Sequence, residues 1–237
     1  MDLGVAGKVA LVTASSRGLG RGSALALSRE GAKVVLCARD EQRLNATAAE
    51  LPGETLAVAA DVTEPDAPAS LVRMAVERFG GLDILVGNSG GPPPARAFDV
   101  DEAGVLAAVN ENLLTQIRLA QSALPHMRSA GWGRIVLITS SAIKQPLPSL
   151  AYSNIARTGL WAWAKTAAQD LAGSGITLNL VAPGFHATDR TRELGSAGPM
   201  GDAEDFGRIV AFLCSQAANF VSGTALQVDG GGSVGLL

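Results

Sequence analysis

Residues 8–20, Lys-Val-Ala-Leu-Val-Thr-Ala-Ser-Ser-Arg-Gly-Leu-Gly, constrain the fold more than any other stretch. Val9 to Val12 form an apolar run without polar alternation, the pattern of a strand buried on both faces of a parallel sheet. The run passes straight into a short turn, Thr13 to Gly20. A helical pattern follows from about Leu19 to Glu30 and stops at Gly31. A strand, a tight glycine turn and a helix N-terminus make an anion site, because backbone N–H groups and the positive end of the helix dipole converge on a phosphate. Gly18 and Gly20 carry no Cβ, so a phosphate can approach the backbone closely.

The same unit repeats along the chain. Apolar runs at Lys33 to Cys37, Leu56 to Ala60, Leu82 to Val86, Arg134 to Thr139, Ile176 to Ala182 and Thr224 to Val228 read as further strands. Helical stretches lie between them. One opens near Asp40; one starts at Thr63, with Pro65 in its first turn, and runs to Phe79 before Gly80-Gly81. A long one spans about Asp101 to Ser129, another about Ala151 to Leu171, and a last one about Asp202 to Ser215. Strands alternating with helices over short connections predict an α/β, Rossmann-type doubly wound sheet of about seven parallel strands in three αβα layers. Ligands in such sheets bind beyond the C-terminal strand ends, which gathers Thr13 to Gly20, Asp61, Gly87 to Gly90, Ser140 and Pro183-Gly184 around one crevice. No linker or internal repeat interrupts the pattern, so residues 1–237 read as a single domain.

Composition narrows the class. Of 237 residues, 47% are hydrophobic and 17% charged, enough for one large core. The net charge of −3 is scattered, which argues against a nucleic-acid surface. Met1 to Gly4 lack a basic region followed by an apolar core, and no apolar run approaches the roughly 20 residues of a membrane span, so a soluble cytoplasmic protein is expected. Cys37 and Cys214 read as buried thiols. No His/Cys/Asp/Glu cluster has metal-ligand spacing, so no metal is expected. His126 reads as structural, and Trp132, Trp161 and Trp163 read as helix-face or subunit contacts.

Taken in order, these strand-end motifs resemble the short-chain dehydrogenase/reductase family over essentially the whole chain, in the style of the 3-oxoacyl-carrier-protein reductases. The family's Thr-Gly-x-x-x-Gly-x-Gly turn stands as Thr13-Ala14-Ser15-Ser16-Arg17-Gly18-Leu19-Gly20, with Ala14 replacing the first glycine. Its Asp after the third strand is Asp61, followed by Val62, and its Asn-Asn-Ala-Gly stands as Gly87-Asn88-Ser89-Gly90. Its Pro-Gly is Pro183-Gly184, with the following Thr at Thr188, and its Val-Asp-Gly-Gly is Val228 to Gly231. The resemblance implies a nicotinamide dinucleotide along these residues, with the backbone at His186 near the carboxamide. At the end of strand two, where members using NAD carry an acid, this chain has Ala38, then Arg39; Arg17 lies in the turn. Two arginines at the adenosine ribose suit a 2′-phosphate, which predicts NADP(H) rather than NAD(H). Asp40 remains a candidate for the ribose.

The catalytic group departs from the pattern. The family uses Asn, Ser and a Tyr-x-x-x-Lys pair as general acid–base machinery beside a hydride donor. Here the Asn falls on Asn112 and the Ser on Ser140. In ungapped register the Tyr position is Ser153 and the Lys position Arg157. Tyr152, the single tyrosine, sits one residue early. It serves as the acid only if the preceding loop shifts it, since one helical step turns a side chain by about 100°. Lys144 is the nearest lysine, and the His186 side chain is an alternative acid of near-neutral pKa. The segment Thr188 to Gly201 is short, Gly-containing and polar, which predicts an open substrate site. The reading is an oxidoreductase interconverting a carbonyl and a secondary alcohol on a small molecule, with a 3-oxoacyl thioester as candidate substrate. The alternative is an NADP(H)-binding sensor or scaffold with little or no catalysis. The resemblance also implies a homotetramer or homodimer built on the long fourth and fifth helices, with the tail Val234-Gly235-Leu236-Leu237 against a partner.

Overall fold

A computed structural model describes residues 2–195 and 199–235. Its strands are β1 (Val9–Thr13), β2 (Lys33–Ala38), β3 (Thr55–Ala59), β4 (Ile84–Gly87), β5 (Gly133–Ile138), β6 (Ile176–Pro183) and β7 (Ala225–Val228). The helices are α1 (Gly18–Arg29), α2 (Glu41–Glu50), α3 (Ala67–Phe79), α4 (Glu102–Val109), α5 (Thr115–Ala130), α6 (Ala151–Asp170), α7 (Asp189–Glu193) and α8 (Ala203–Leu213). All pairings are parallel, in the order β3-β2-β1-β4-β5-β6-β7. This is the doubly wound sheet expected from the alternating pattern.

Each strand feeds two cores. Val9 and Leu11 join Leu71, Leu119, Met127 and Leu160 beneath α3, α5 and α6. Ala10 and Val12 join Leu25, Leu44, Phe206 and Val210 beneath α1, α2 and α8. Both faces are therefore dry, which is why the strands read as unbroken apolar runs. The order in which strands are added reverses between β1 and β4, so the crevice opens beyond their C-terminal ends.

Three elements differ from expectation. The third helix starts at Ala67, not Thr63. The Thr63 N–H and Oγ1 both donate to Asp61 Oδ1, at 3.0 and 2.7 Å, closing a turn that the helix cannot include. The long helix starts as expected, with Asp101 capping α4 by accepting from the Gly104 N–H at 2.7 Å. It is broken, however, by a π-helical turn, Asn110–Leu114, before α5. A short helix, α7, occupies the segment read as a loop; a reciprocal Thr188–Thr191 capping box starts it. Cys37 and Cys214 are free and buried, and burial pushes each thiol up to about 12. Leu236 and Leu237 of the predicted partner-facing tail lie outside the described residues; Val234 is exposed.

Candidate active site

A cleft of about 570 Å³ lies over the carboxyl ends of β1, β2, β4, β5 and β6. Its floor is built from buried polar ties between strands. Thr13 Oγ1 donates to the Asn88 carbonyl (2.6 Å) and accepts from the Asn88 N–H (2.8 Å), which locks β1 to β4 below the crevice. Ser15 Oγ accepts from the Cys37 N–H at 3.1 Å and is fully buried. Ser15 and Thr13 therefore brace the phosphate turn and do not line the cleft, a correction to their reading as ligand contacts. Gly20 also lies below the lining, where a Cβ would run into the Ala14 carbonyl. Ser16, Arg17, Gly18 and Leu19 do line it, and Gly18 has φ +56°. Ala14, in the family's first glycine position, keeps the left-handed backbone of that glycine, φ +47°.

Ala38, Arg39, Asp61 and Val62 line one end. Burial opposes ionisation of Asp61, but hydrogen bonds from Thr63 and the charge of Arg39 outweigh it and hold the carboxyl below its ordinary range. Arg39 reaches Asp61 at 3.7 Å and is largely exposed. Asp40 is committed elsewhere: its Oδ1 caps α2 through the Arg43 N–H (3.0 Å), and its Oδ2 pairs with Arg43 Nε (3.2 Å). The sequence reading missed Arg43. It joins Arg17 and Arg39 as a third guanidinium at this end, and the signal was its place one turn into a helix capped at the cleft rim.

Asn88, Ser89, Gly90, Ser140, Ser153, Arg157, Pro183, Gly184, His186 and Thr188 line the other end. Ser140 caps the turn Ser141–Ile143 by accepting from the Ala142 N–H at 3.2 Å, so its own hydrogen is left to donate. Ser153 sits on the cleft face of α6. Arg157, one turn on, is deeply buried. Its guanidinium donates to the carbonyls of Ile138, Thr139 and Gly90, each at 3.1 Å. Burial lowers its pKa to about 10, partly offset by the charge of Glu111, so it remains a cation at neutral pH.

Tyr152 is not in the cleft. It points to α4, where its hydroxyl accepts from the Asp101 N–H (3.1 Å) and donates to Asp101 Oδ1 (3.3 Å). Its ring fills the space that a Cβ on Gly104 would take. The loop does not shift it by the required step, and its reading as the acid is corrected on that geometry. Asn112 is likewise beneath the lining. The π turn presents it to Ser89, whose hydroxyl donates to Asn112 Oδ1 at 3.3 Å. Lys144 packs over the Trp161 ring (4.4 Å), in a separate small cavity with Lys165. His186 packs its ring edge-on against Phe206, with Nδ1 3.2 Å from the Gly184 carbonyl, so its side chain is held as structure.

Two cleft residues carried no motif signal. Glu111, within the π turn, packs its Oε1 against Gly90 and accepts from Asn112 Nδ2 through Oε2 at 3.4 Å. Arg190, on α7, reaches across to the Pro92 carbonyl at 2.5 Å. Gly87 stands where the family motif has its first Asn, and the Gln116 carboxamide fills the space above it. That carboxamide is buried and has no hydrogen-bond partner among the described residues.

A glycine turn at a helix N-terminus, a crevice at the sheet's switch point and a serine at the end of β5 define a nicotinamide-dinucleotide oxidoreductase of the doubly wound class. The family model described as "Enoyl-(Acyl carrier protein) reductase" matches residues 13–233, and the chain belongs to the short-chain dehydrogenase/reductase family, which interconverts carbonyl and alcohol groups. It is 34% identical over 236 residues to the 3-oxoacyl-[acyl-carrier-protein] reductase of Haemophilus influenzae, covering 95% of this chain and 98% of that one. To the human dehydrogenase/reductase SDR family member 4 it is 33% identical, covering 96% and 88%. The L-sorbose reductase of Gluconobacter frateurii, solved in complex with NADPH and L-sorbose, superposes with a TM-score of 0.90 at 28% identity, covering 97% and 98%.

Proposed function

We propose that the chain reduces a carbonyl to a secondary alcohol with NADPH. One observation carries the cofactor choice: Arg17, Arg39 and Arg43 line one end of the cleft, and Ala38 leaves no carboxylate at the end of β2. A ribose 2′-phosphate suits that set, since guanidinium groups pair with phosphate oxygens two at a time. The NADPH-bound state of the sorbose reductase supports the same reading. A bound nicotinamide supplies the hydride. Asp61 and Val62 would hold the adenine, the 16–19 turn the pyrophosphate, and Asn88 to Gly90 with Arg157 the nicotinamide ribose.

Substrate handling falls to Ser140 and Ser153. Ser140 and Ser153 orient the carbonyl oxygen as hydrogen-bond donors. A serine hydroxyl is too weak an acid to release its proton unaided at pH 7, so Ser153 acts as a relay: it gives its proton to that oxygen as it takes one from water entering the cleft. Arg157 contributes fixed positive charge, which stabilises negative charge as it develops on the oxygen. The 34% identity to a 3-oxoacyl-carrier-protein reductase points to a 3-oxoacyl thioester as substrate class. A homo-oligomer built on the α4–α5 stretch and α6 is part of this reading, supported by exposed Leu106 and Leu114 on the first and Ile155 on the second. Sedimentation at a mass above the 24.1 kDa of one chain tests it.

The deciding experiment measures NADPH oxidation with a 3-oxoacyl thioester. Wild type turns over, and Ser153→Ala loses at least about tenfold in kcat with unchanged NADPH affinity. Binding of NADPH without turnover of any carbonyl would favour the sensor or scaffold reading, which the replaced Tyr and Lys positions support.

A further inference from the structure

Every guanidinium at the proposed 2′-phosphate end has a carboxylate beside it, and one of those carboxylates comes from the substrate side of the cleft. Arg17 Nη1 lies 2.8 Å from Asp189 Oδ2, and Arg43 Nη1 lies 4.0 Å from the same oxygen. Asp189 Oδ1 is held by Arg192. Hydrogen bonds from Arg17 and Arg192 keep the Asp189 carboxyl below its ordinary range. Asp189 is the first residue of α7 and adjoins Arg190, whose guanidinium spans the cleft mouth to the Pro92 carbonyl. The two ends of the cleft are thus joined through one short helix.

We propose that Asp189 sets cofactor choice: it is a counter-ion shared by Arg17, which also has Glu193 at 4.0 Å, and Arg43, which also pairs with Asp40, and a 2′-phosphate must displace it to bind. The inference rests on the NADP(H) reading above. A 2′-phosphate carries up to two negative charges and three acceptor oxygens against one charge on Asp189, so it competes for both guanidinium groups. The neutral 2′-hydroxyl of NADH cannot compete, and the Arg17–Asp189 pair stays closed beside it. Displacement frees the N-terminal end of α7 and with it the arm carrying Arg190. The coupling is reciprocal: whatever loosens α7 tightens the 2′-phosphate, and the reverse. Asp189 therefore both lowers affinity for NADPH and reports its arrival at the substrate mouth.

The test uses NADPH, NADH, adenosine 2′,5′-bisphosphate and 5′-AMP as probes, with binding followed by fluorescence or calorimetry. The proteins are wild type, Asp189→Asn, and Glu77→Gln as a remote variant with the same charge change. Asp189→Asn is expected to tighten NADPH and the bisphosphate by about three- to fivefold, the range for a partly exposed ion pair, while NADH, 5′-AMP and the Glu77→Gln protein move less than twofold. In wild type, amide exchange at 189–193 rises with NADPH but not with NADH. Unchanged or weaker NADPH binding by a folded Asp189→Asn protein, or an equal change for both cofactors, overturns the proposal. A wild type without preference for NADPH refutes the cofactor reading; Asp189 still acts as proposed only if Asp189→Asn then creates that preference.

Discussion

Ala14 is the clearest case of a residue working against its backbone. At φ +47° an L-residue with a Cβ costs roughly 1 kcal/mol relative to glycine. Ala14→Gly should therefore raise the melting temperature by about 1–3 °C, read in a thermal melt. Tyr152 and Ser153 separate in the opposite way from their sequence ranking. Tyr152→Phe removes a hydroxyl bonded to Asp101, so it should cost about 1 kcal/mol of stability in denaturant titration and leave kcat within twofold. A large kcat loss without destabilisation would return Tyr152 to the catalytic group. Arg157 is a clamp as much as a charge. Arg157→Ala takes the guanidinium's hydrogen bonds away from the Ile138, Thr139 and Gly90 carbonyls, and about 3 kcal/mol or more should be lost.

Between elements, α1 and α8 cross through glycine. A Cβ on Gly22 would run into the Ala203 carbonyl, and one on Gly207 into the Gly22 carbonyl. On an exposed helix Gly→Ala gains up to about 1 kcal/mol. Here the contact is backbone on backbone and cannot relax cheaply, so Gly207→Ala should destabilise by about 2–3 kcal/mol in urea titration. This crossing positions α1, and through it the phosphate turn. Sequence periodicity marked both helices but not their meeting, because a close approach is invisible until two distant segments are placed together. The π turn is similar: Asn110–Leu114 continues a helical pattern, and only its packing shows Asn112 turned to Ser89 and Glu111 to Gly90.

For the molecule as a whole, acid is the expected weakness. Asp61, Asp189, Asp202 and Asp229 all have folded pKa values below the ordinary 3.8, through Thr63 and Arg39, Arg17 and Arg192, the Asp205 and Glu204 N–H groups, and Ser233 respectively. Each binds its proton less readily folded than unfolded. Their stabilisation is complete above the unfolded pKa and is lost as pH falls through the lower folded values. The melting temperature should hold near neutrality and fall below about pH 4 in a series of thermal melts. A melting temperature unchanged down to pH 2.5 would mean that these contacts add nothing to the fold.

The sheet, its order of elements and a crevice beyond the strands' C-terminal ends were legible from the sequence, because runs of apolar residues and strand-end glycines encode buried strands and anion turns locally; that the winding reverses between β1 and β4 came from the structure. Thr13, Arg17, Arg39, Asp61, Ser140 and Arg157 were found for the same reason: each sits at a fixed offset from a strand end. Tertiary structure alone decided which of them line the cleft. It turned Thr13, Ser15, Tyr152 and Asn112 to bracing contacts and brought Arg43, Glu111 and Arg190 into the cleft, because a side chain's direction depends on helix rotation and on packing against segments far away in the chain.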